Sequence, residues 1–471
     1  MTIIKKYIGD KAFYKHVFAV SLPIMIQNGI TNLVNLLDNI MVGRLGTEAM
    51  SGVSIVNQFI FIFNLLIFGA ISAAGIFTAQ YYGLGDDEGI RHTFRFKFLI
   101  NLAAGIIGVA VFFAFSEELI NLFLHDSENV GNLALTMEYG KQYLFVMLIG
   151  LVPYAISQVY ASTMRETGDT VMPMIASFAA VGINFVLNII LIFGYLGAPA
   201  MGVRGAAIAT VISRFAELLV LVIYSHLKKD KFPYLVGAYK SFKIPVKLFK
   251  IITVKGIPLM LNEFFWAVAM TMRNQCYSTR GLDVVAAQNI SATMFNLLSV
   301  VYISLGTAIA IIVGALLGAG KLDEAKDADR KLLAFSVFCG ICVGLILIIS
   351  SLFFPSIYET TDEVRALASY MMVISALTMP FSAFANAAYF TLRTGGKVMI
   401  TILFDSFYMW TVVIPITAGF AYLTNVGIFA LFAIGQGVDT FKVIFGTVLL
   451  KRGSWLKTLV SRTDSTEADS V

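Results

Sequence analysis

Eight ionisable side chains stand inside long apolar stretches of this 471-residue chain: Asp38, Arg214, Glu217, Glu263, Arg273, Asp405, Asp439 and Lys442. An ionised group in hydrocarbon is costly unless it is paired or hydrated, so each is a functional candidate. The chemistry open to them is reversible binding of a proton or a small cation. Bond-making chemistry lacks its usual parts. His16, His92, His125 and His226 are scattered without metal-ligand spacing. Cys276, Cys339 and Cys342 lie in apolar segments without the setting of a redox motif. Gly314 to Lys321 resembles a phosphate loop, but Ala315 replaces its first glycine and Leu322 its Ser or Thr. No enzyme, cofactor, nucleotide or bound metal beyond a possible Na⁺ is expected.

Local spacing sorts the candidates. Asp38 sits toward the C-terminal end of its helix, where the dipole disfavours an anion and something nearby must compensate. Glu263 lies about a dozen residues into its segment, and Asp405 and Asp439 fall at similar depth, so the C-terminal half can gather an acidic cluster. Arg273 is roughly 15 Å from Glu263 along one helix, too far to pair with it. Lys442 follows Asp439 by three residues and Glu217 follows Arg214 by three, so both read as local ion pairs.

The elements that must hold these groups are set by composition. Hydrophobic residues make up 58% of the chain and charged ones 13%, against about 25% charge in a soluble protein. The mean hydropathy is +0.81. Lipid is the solvent such a chain requires. Apolar segments long enough to span it occur near 17–41, 51–78, 94–116, 136–160, 172–195, 203–227, 251–278, 286–317, 332–354, 366–391, 398–423 and 426–450. The start, with Lys5, Lys6, Lys11 and Lys15, shows no small-residue cleavage site, so the first span is expected to stay. Lys and Arg concentrate in alternate loops, which predicts both termini on the cytoplasmic side of a plasma (inner) membrane. That asymmetry also accounts for the pI near 8.9 without a nucleic-acid partner.

The two halves repeat. Pro23 and Pro258, Gly46 and Gly281, and Gly83-Leu-Gly85 and Gly318-Ala-Gly320 are each offset by 235 residues. Arg165-Glu-Thr-Gly-Asp-Thr-Val-Met matches Arg393-Thr-Gly-Gly-Lys-Val-Met with one gap. Six spans per half make the repeat parallel, related by an axis along the membrane normal, with a central cleft between two bundles. The predicted organisation is an all-α membrane protein: a six-helix bundle over 1–227, a basic linker over 228–250 taken as a plain loop near anionic headgroups, a second bundle over 251–452 and a polar tail over 453–471.

These features, with LVNLLDNIMVGRLG, TAQYYGLGD, STMRETGDTVMP, NFVLNIILIFGYLGAPAMGVRGAAIAT and GIPLMLNEFFW in this order, resemble bacterial members of the multidrug and toxic compound extrusion (MATE) family over nearly the whole chain. The resemblance implies a secondary antiporter that exports organic, cationic or aromatic compounds in exchange for H⁺ or Na⁺. It implies a cation site in the N-terminal half at Asp38, at an Asn-x-x-x-Asp pair in the fifth span and at a Thr in the sixth. Here the pair reads Asn184 and Asn188, with Thr210 as the threonine. One carboxylate in place of two weakens the case for Na⁺ and leaves protonation of Asp38 as the simpler event. In the other half Glu263 and Asp405 are candidates for coupling or substrate binding. Gln58, Asn64, Trp266, Met270 and Tyr302 are candidates for the cleft. The expected partners are small organic molecules and the bilayer, and the expected state is a monomer. The alternatives are a lipid-linked saccharide flippase of the same superfamily, which would need a cationic cavity, and a membrane-embedded enzyme or non-transporting sensor, of which the enzyme would need a reactive constellation.

Overall fold

The computed structural model describes residues 6–121, 132–358 and 360–461, without the side chains of Asn35, Leu36 and Leu282. Lys5, His125 and the tail beyond Ser461 lie outside the described residues. In lipid every backbone N–H and C=O must be satisfied within its own segment, which leaves helices as the solution for apolar runs of this length. Twelve helices among the described residues are long and apolar enough to cross a membrane. They are α1 (Lys11–Gly43), α2 (Thr47–Leu84), α3 (Asp87–Ala114), α4 (Leu133–Glu166), α5 (Val171–Phe193) and α6 (Val203–Leu227). The second set is α7 (Val246–Ser278), α8 (Leu282–Gly318), α9 (Leu322–Ser351), α10 (Asp362–Thr394), α11 (Val398–Leu423) and α12 (Ile428–Lys451).

Several helices run past the apolar windows. Asp86 caps α3 by accepting from the N–H groups of Glu88 and Gly89, so Arg91, which precedes the expected span, is helical, and Arg95 and Lys97 lie two turns or more inside the helix rather than at its start. At the far end of α10, Arg393 is likewise helical and buried. Two breaks fall in the last helices. In α11 the backbone widens into π-helical turns over Leu403–Phe407 and Met409–Val413. In α12 the helix is interrupted at Phe441, between Ile428–Thr440 and Lys442–Lys451.

The chain forms two compact units, Ile26–Thr78 with Asp86–Gly256 and Met1–Met25 with Ala79–Gly85 and Ile257–Ser461. In the first, here the N-terminal unit, Phe59, Phe63 and Ile67 of α2 pack with Leu144 and Met147 of α4 and Ala207 of α6. The segment expected as a plain loop folds onto this unit. Phe232, Tyr234, Leu235 and Ala238 are buried, and the Arg95 guanidinium donates to the carbonyls of Gly237, Ala238 and Lys243. Lys231 donates to Asp169 at 2.6 Å. Partial burial opposes the Lys231 charge, but the hydrogen bond and charge of Asp169 outweigh it and raise the ammonium's pKa. The sequence pattern hid this because its apolar residues are interspersed with lysines.

In the second, C-terminal unit, Leu305, Ile309 and Val313 of α8 pack with Leu332 of α9, Leu392 of α10 and Trp455. The repeat becomes a contact here. A Cβ on Gly83 would overlap the Ala315 carbonyl, and one on Gly318 would overlap the Gln80 carbonyl. Positions 80 and 315 are themselves 235 apart, so the two helix ends touch reciprocally, backbone to backbone. Such an approach requires residues without side chains. Gly85 and Gly320 then turn the chain with φ of 70° and 73°. The start of the expected tail docks on this crossing. Gln80 donates to the Thr394 carbonyl and accepts from the Leu459 N–H, Thr458 donates to the Leu317 carbonyl, and Trp455 is buried.

Gly83→Ala is expected to lose about 1–3 kcal/mol by overpacking, seen as a lower Tm in detergent. Gly182→Ala, where a Cβ meets nothing within 4 Å, serves as the control, and equal Tm values for the two would contradict the tight crossing. Trp455→Ala is expected to cost about 3–5 kcal/mol as a cavity mutation, measurable in the same unfolding assay.

Candidate functional site

In the N-terminal unit, four sequence candidates meet. Asn188 Nδ2 donates to Asp38 Oδ1 at 2.5 Å and to Asn184 Oδ1 at 3.1 Å, and Asn184 Nδ2 donates to Thr210 Oγ1 at 3.2 Å. Thr210 Oγ1 donates in turn to the Ala206 carbonyl at 3.0 Å. The four-residue spacing of Asn184 and Asn188 puts both amides on one face of α5, and both are buried. Asn188 Oδ1 is buried without a partner. Asp38 therefore faces an amide donor rather than a fixed cation. Tyr143 of α4 stands within electrostatic reach of Asp38 and hydrogen-bonding reach of Thr210. Sequence spacing gave no sign of it.

In the C-terminal unit three acids, Glu263, Asp405 and Asp439, are each matched to a base from another helix. Glu263 Oε1 accepts from the Tyr389 hydroxyl at 2.6 Å and lies 3.7 Å from Arg393 Nη1. The Arg393 guanidinium also sits over the Tyr389 and Phe390 rings. Asp405 lies in the widened stretch of α11, where Lys442 Nζ reaches Oδ1 at 2.7 Å and Asn262 Nδ2 reaches Oδ2 at 3.1 Å. Asn262 fixes that stretch further, accepting from the Ser406 N–H and hydroxyl. Arg273 Nη1 is 3.7 Å from Asp439 Oδ2. π-Helical turns redirect side chains and favour functional positions.

These pairings correct one local reading. Lys442 pairs with Asp405 rather than with Asp439, which meets Arg273 instead. Arg214 donates to the Gly150 carbonyl at 3.4 Å and lies over the Tyr154 ring, and Glu217 stands within electrostatic reach of both Arg165 and Arg214. The acidic cluster exists, but it is interleaved with cations. Sequence reasoning had placed Arg393 among loop charges. The signal available was its position in the motif that repeats Arg165.

The cleft candidates are distributed. Gln58 is exposed and Asn64 half-buried with an unpartnered Oδ1. Trp266 is exposed, and Met270 packs against a core of Ala269, Tyr408, Met409 and Val413. Tyr302 is buried against Val343, Leu347 and Met372, away from solvent.

Two further buried polar contacts lie outside these groups. Lys97 of α3 donates to Thr163 and Glu166 of α4, and Asp329 of α9 accepts from Thr391 of α10. Thr163 and Thr391 occupy matching places in the repeat, two residues before Arg165 and Arg393.

Similarity to known proteins follows the same plan. The chain is 25% identical over 451 residues to "Probable multidrug resistance protein NorM" of Thermotoga maritima, covering 95% of this chain and 94% of that protein. It is 24% identical to "Probable multidrug resistance protein YoeA" of Bacillus subtilis, with 86% of each covered. Among solved structures, a crystal structure of MATE in complex with MaL6 superposes with a TM-score of 0.85 over 96% of this chain and 98% of that one, at 19% identity. A mutant of the Vibrio cholerae MATE transporter VcmN gives 0.83 at 16% identity, with 96% of this chain and 98% of that one covered. The MatE family model matches residues 23–190 and again residues 258–423, starting 235 residues apart as the internal repeat does. With well over half of its length matched, this chain belongs to the MatE (MATE) family of multi-pass membrane transporters and is not an enzyme.

Proposed function

We propose that this chain exports organic compounds, with cationic and aromatic groups favoured, by antiport against a cation, exposing its binding groups to the two sides of the membrane in turn. The relatives named as multidrug resistance proteins support the export of varied compounds. The observation that carries the coupling is Asp38: a carboxylate inside a spanning helix whose hydrogen-bond partner is the Asn188 amide. A carboxylate without a fixed counter-ion is free to exchange a proton or Na⁺. With one acid in the site, H⁺ is the favoured ion, because Na⁺ selects oxygen ligands of higher total charge. Glu263 and Asp405 form the second candidate locus. The chain works as a monomer in the plasma membrane with both termini cytoplasmic, as the Lys and Arg distribution of its loops supports.

The flippase alternative requires a group of basic side chains able to hold a pyrophosphate. In the C-terminal unit Arg273, Arg393 and Lys442 each face a carboxylate, which leaves no net positive cluster among them.

Proteoliposomes with H⁺ and Na⁺ gradients imposed separately test the coupling. An H⁺ gradient is expected to drive ethidium export, and Asp38→Asn to lower the driven rate about tenfold or more, the effect of losing about 1.4 kcal/mol. If the Asp38→Asn, Glu263→Gln double variant exports ethidium as fast as the native chain, neither acid couples transport. Asn188→Asp restores a second carboxylate beside Asp38. It is expected to create a response to the Na⁺ gradient, and unchanged indifference to Na⁺ would show that charge count does not select the ion.

A further inference from the structure

Four of the buried side-chain atoms without a hydrogen-bond partner lie in one place, between α7 and α12: Arg273 Nε and Nη1, the Tyr277 hydroxyl and Asp439 Oδ1. Arg273 and Tyr277 are four residues apart on α7, and Gly435 and Asp439 are four apart on α12, so each pair shares a helix face. Arg273 meets Asp439, and Tyr277 meets Gly435, where any Cβ would overlap the phenol oxygen. The numbering rises on one helix as it falls on the other, so the helices are antiparallel and the two polar pairs face each other. Asp439 keeps 30% of its side-chain surface open while Arg273 keeps 7%, so the group is reached from the Asp439 side. Tyr302 of α8, Tyr408 of α11 and Lys442 also act electrostatically on Asp439.

Buried donors of this kind are unfavourable unless something accepts from them. A guanidinium whose Nε and Nη1 make no hydrogen bond, the latter only ion-paired to Asp439 at 3.7 Å, and a phenol hydroxyl on the same helix face together form a donor set for a single planar oxyanion. The surroundings are aromatic, with the Tyr277 ring packed at 5.1 Å from Phe432. We propose that Arg273 and Tyr277 form a recognition site for the carboxylate of an aromatic acid, with Asp439 as the competing anion that holds Arg273 when the site is free. The site extends the exported compounds from cations to molecules bearing an acidic group. Its transport consequence rests on the exporter reading above, whereas binding at the site does not. The same donors would accept a phospholipid phosphate, which the experiment separates.

Binding of radiolabelled benzoate to the purified full-length chain, measured by scintillation proximity in lipid-free detergent, tests the site, with radiolabelled benzamidine as the cationic counterpart. Benzoate is expected to bind. Arg273→Gln should weaken it about tenfold or more, the loss of a charge-assisted hydrogen bond, and Tyr277→Phe should weaken it a few-fold. Asp439→Asn should strengthen benzoate binding by removing the competing charge, and benzamidine should not follow this pattern. Should Arg273→Gln fail to fold, the opposite signs for Tyr277→Phe and Asp439→Asn still decide, because a merely structural ion pair would not tighten benzoate when Asp439 is neutralised. No benzoate binding, or binding indifferent to these variants, overturns the site. Loss of benzoate binding in phospholipid nanodiscs, of phosphatidylcholine or of phosphatidylglycerol, when lipid-free detergent retains it, assigns the site to a lipid phosphate and overturns the aromatic acid. Benzoate binding with no ethidium export would remove the exporter reading and leave this site. Export without benzoate binding would do the reverse.

Discussion

Charge matching inside an apolar fold is the constraint on which the rest of this structure depends. A carboxylate or ammonium taken from water into the helix-packed interior is tolerated only where its charge and its hydrogen-bonding atoms meet partners. The protein meets this condition from helix to helix rather than along one helix. Lys97 of α3 goes to Glu166 of α4, Glu263 of α7 to Arg393 of α10, and Lys442 of α12 to Asp405 of α11. Each pair therefore also fixes the packing of two helices, and the side chains suited to chemistry are the ones that hold the bundle in register.

The twelve helices were legible in the sequence because lipid leaves a long apolar segment little choice of backbone structure. The repeat was legible too, and the Gly83 and Gly318 crossing gives it a physical reason: two backbones at van der Waals distance admit no side chain at either position. Helix ends were less so. Hydropathy stops where charge begins, whereas a helix continues while its hydrogen bonds do. Arg393, which falls between the expected spans, is a buried helical residue, and Arg95 and Lys97, at the edge of the expected third span, lie well inside α3 and are buried. The linker and the early tail failed for the opposite reason, since Tyr234, Leu235 and Trp455 bury themselves in segments too short and too charged to show as spans.

For the candidate site, what the sequence revealed depended on whether local spacing carried the contact. Asn184 and Asn188 are i,i+4, and their meeting with Asp38 and Thr210 was implied by resemblance to a family and is seen in the hydrogen-bond chain. The pairs in the C-terminal unit join residues 37 to 166 positions apart, and no local pattern encodes such distances. At Asp439 and Lys442 local spacing offers a pair, but partners from other helices take both groups, Arg273 for Asp439 and Asp405 for Lys442. Helical periodicity says which side chains are within reach of one another, not which partner prevails.

The two units answer the same constraint in different ways, and the difference bears on mechanism. In the N-terminal unit the acid is balanced by amides, which stabilise a carboxylate by hydrogen bonding without neutralising it. A proton or metal ion arriving there supplies the missing charge. In the C-terminal unit Glu263, Asp405 and Asp439 already have cations of their own, held by arginine and lysine side chains. A proton added to any of these must displace a fixed cation and leave it unpaired, which is costly in a buried setting. On the proposed antiport, cation exchange falls to Asp38, whereas the paired acids of the other unit suit a step in which an incoming ligand takes over one member of an ion pair. The proposal thus divides ion binding and substrate binding between two repeats of one fold, through the choice of an amide or a cation as the partner of Asp38 and of Glu263, Asp405 and Asp439.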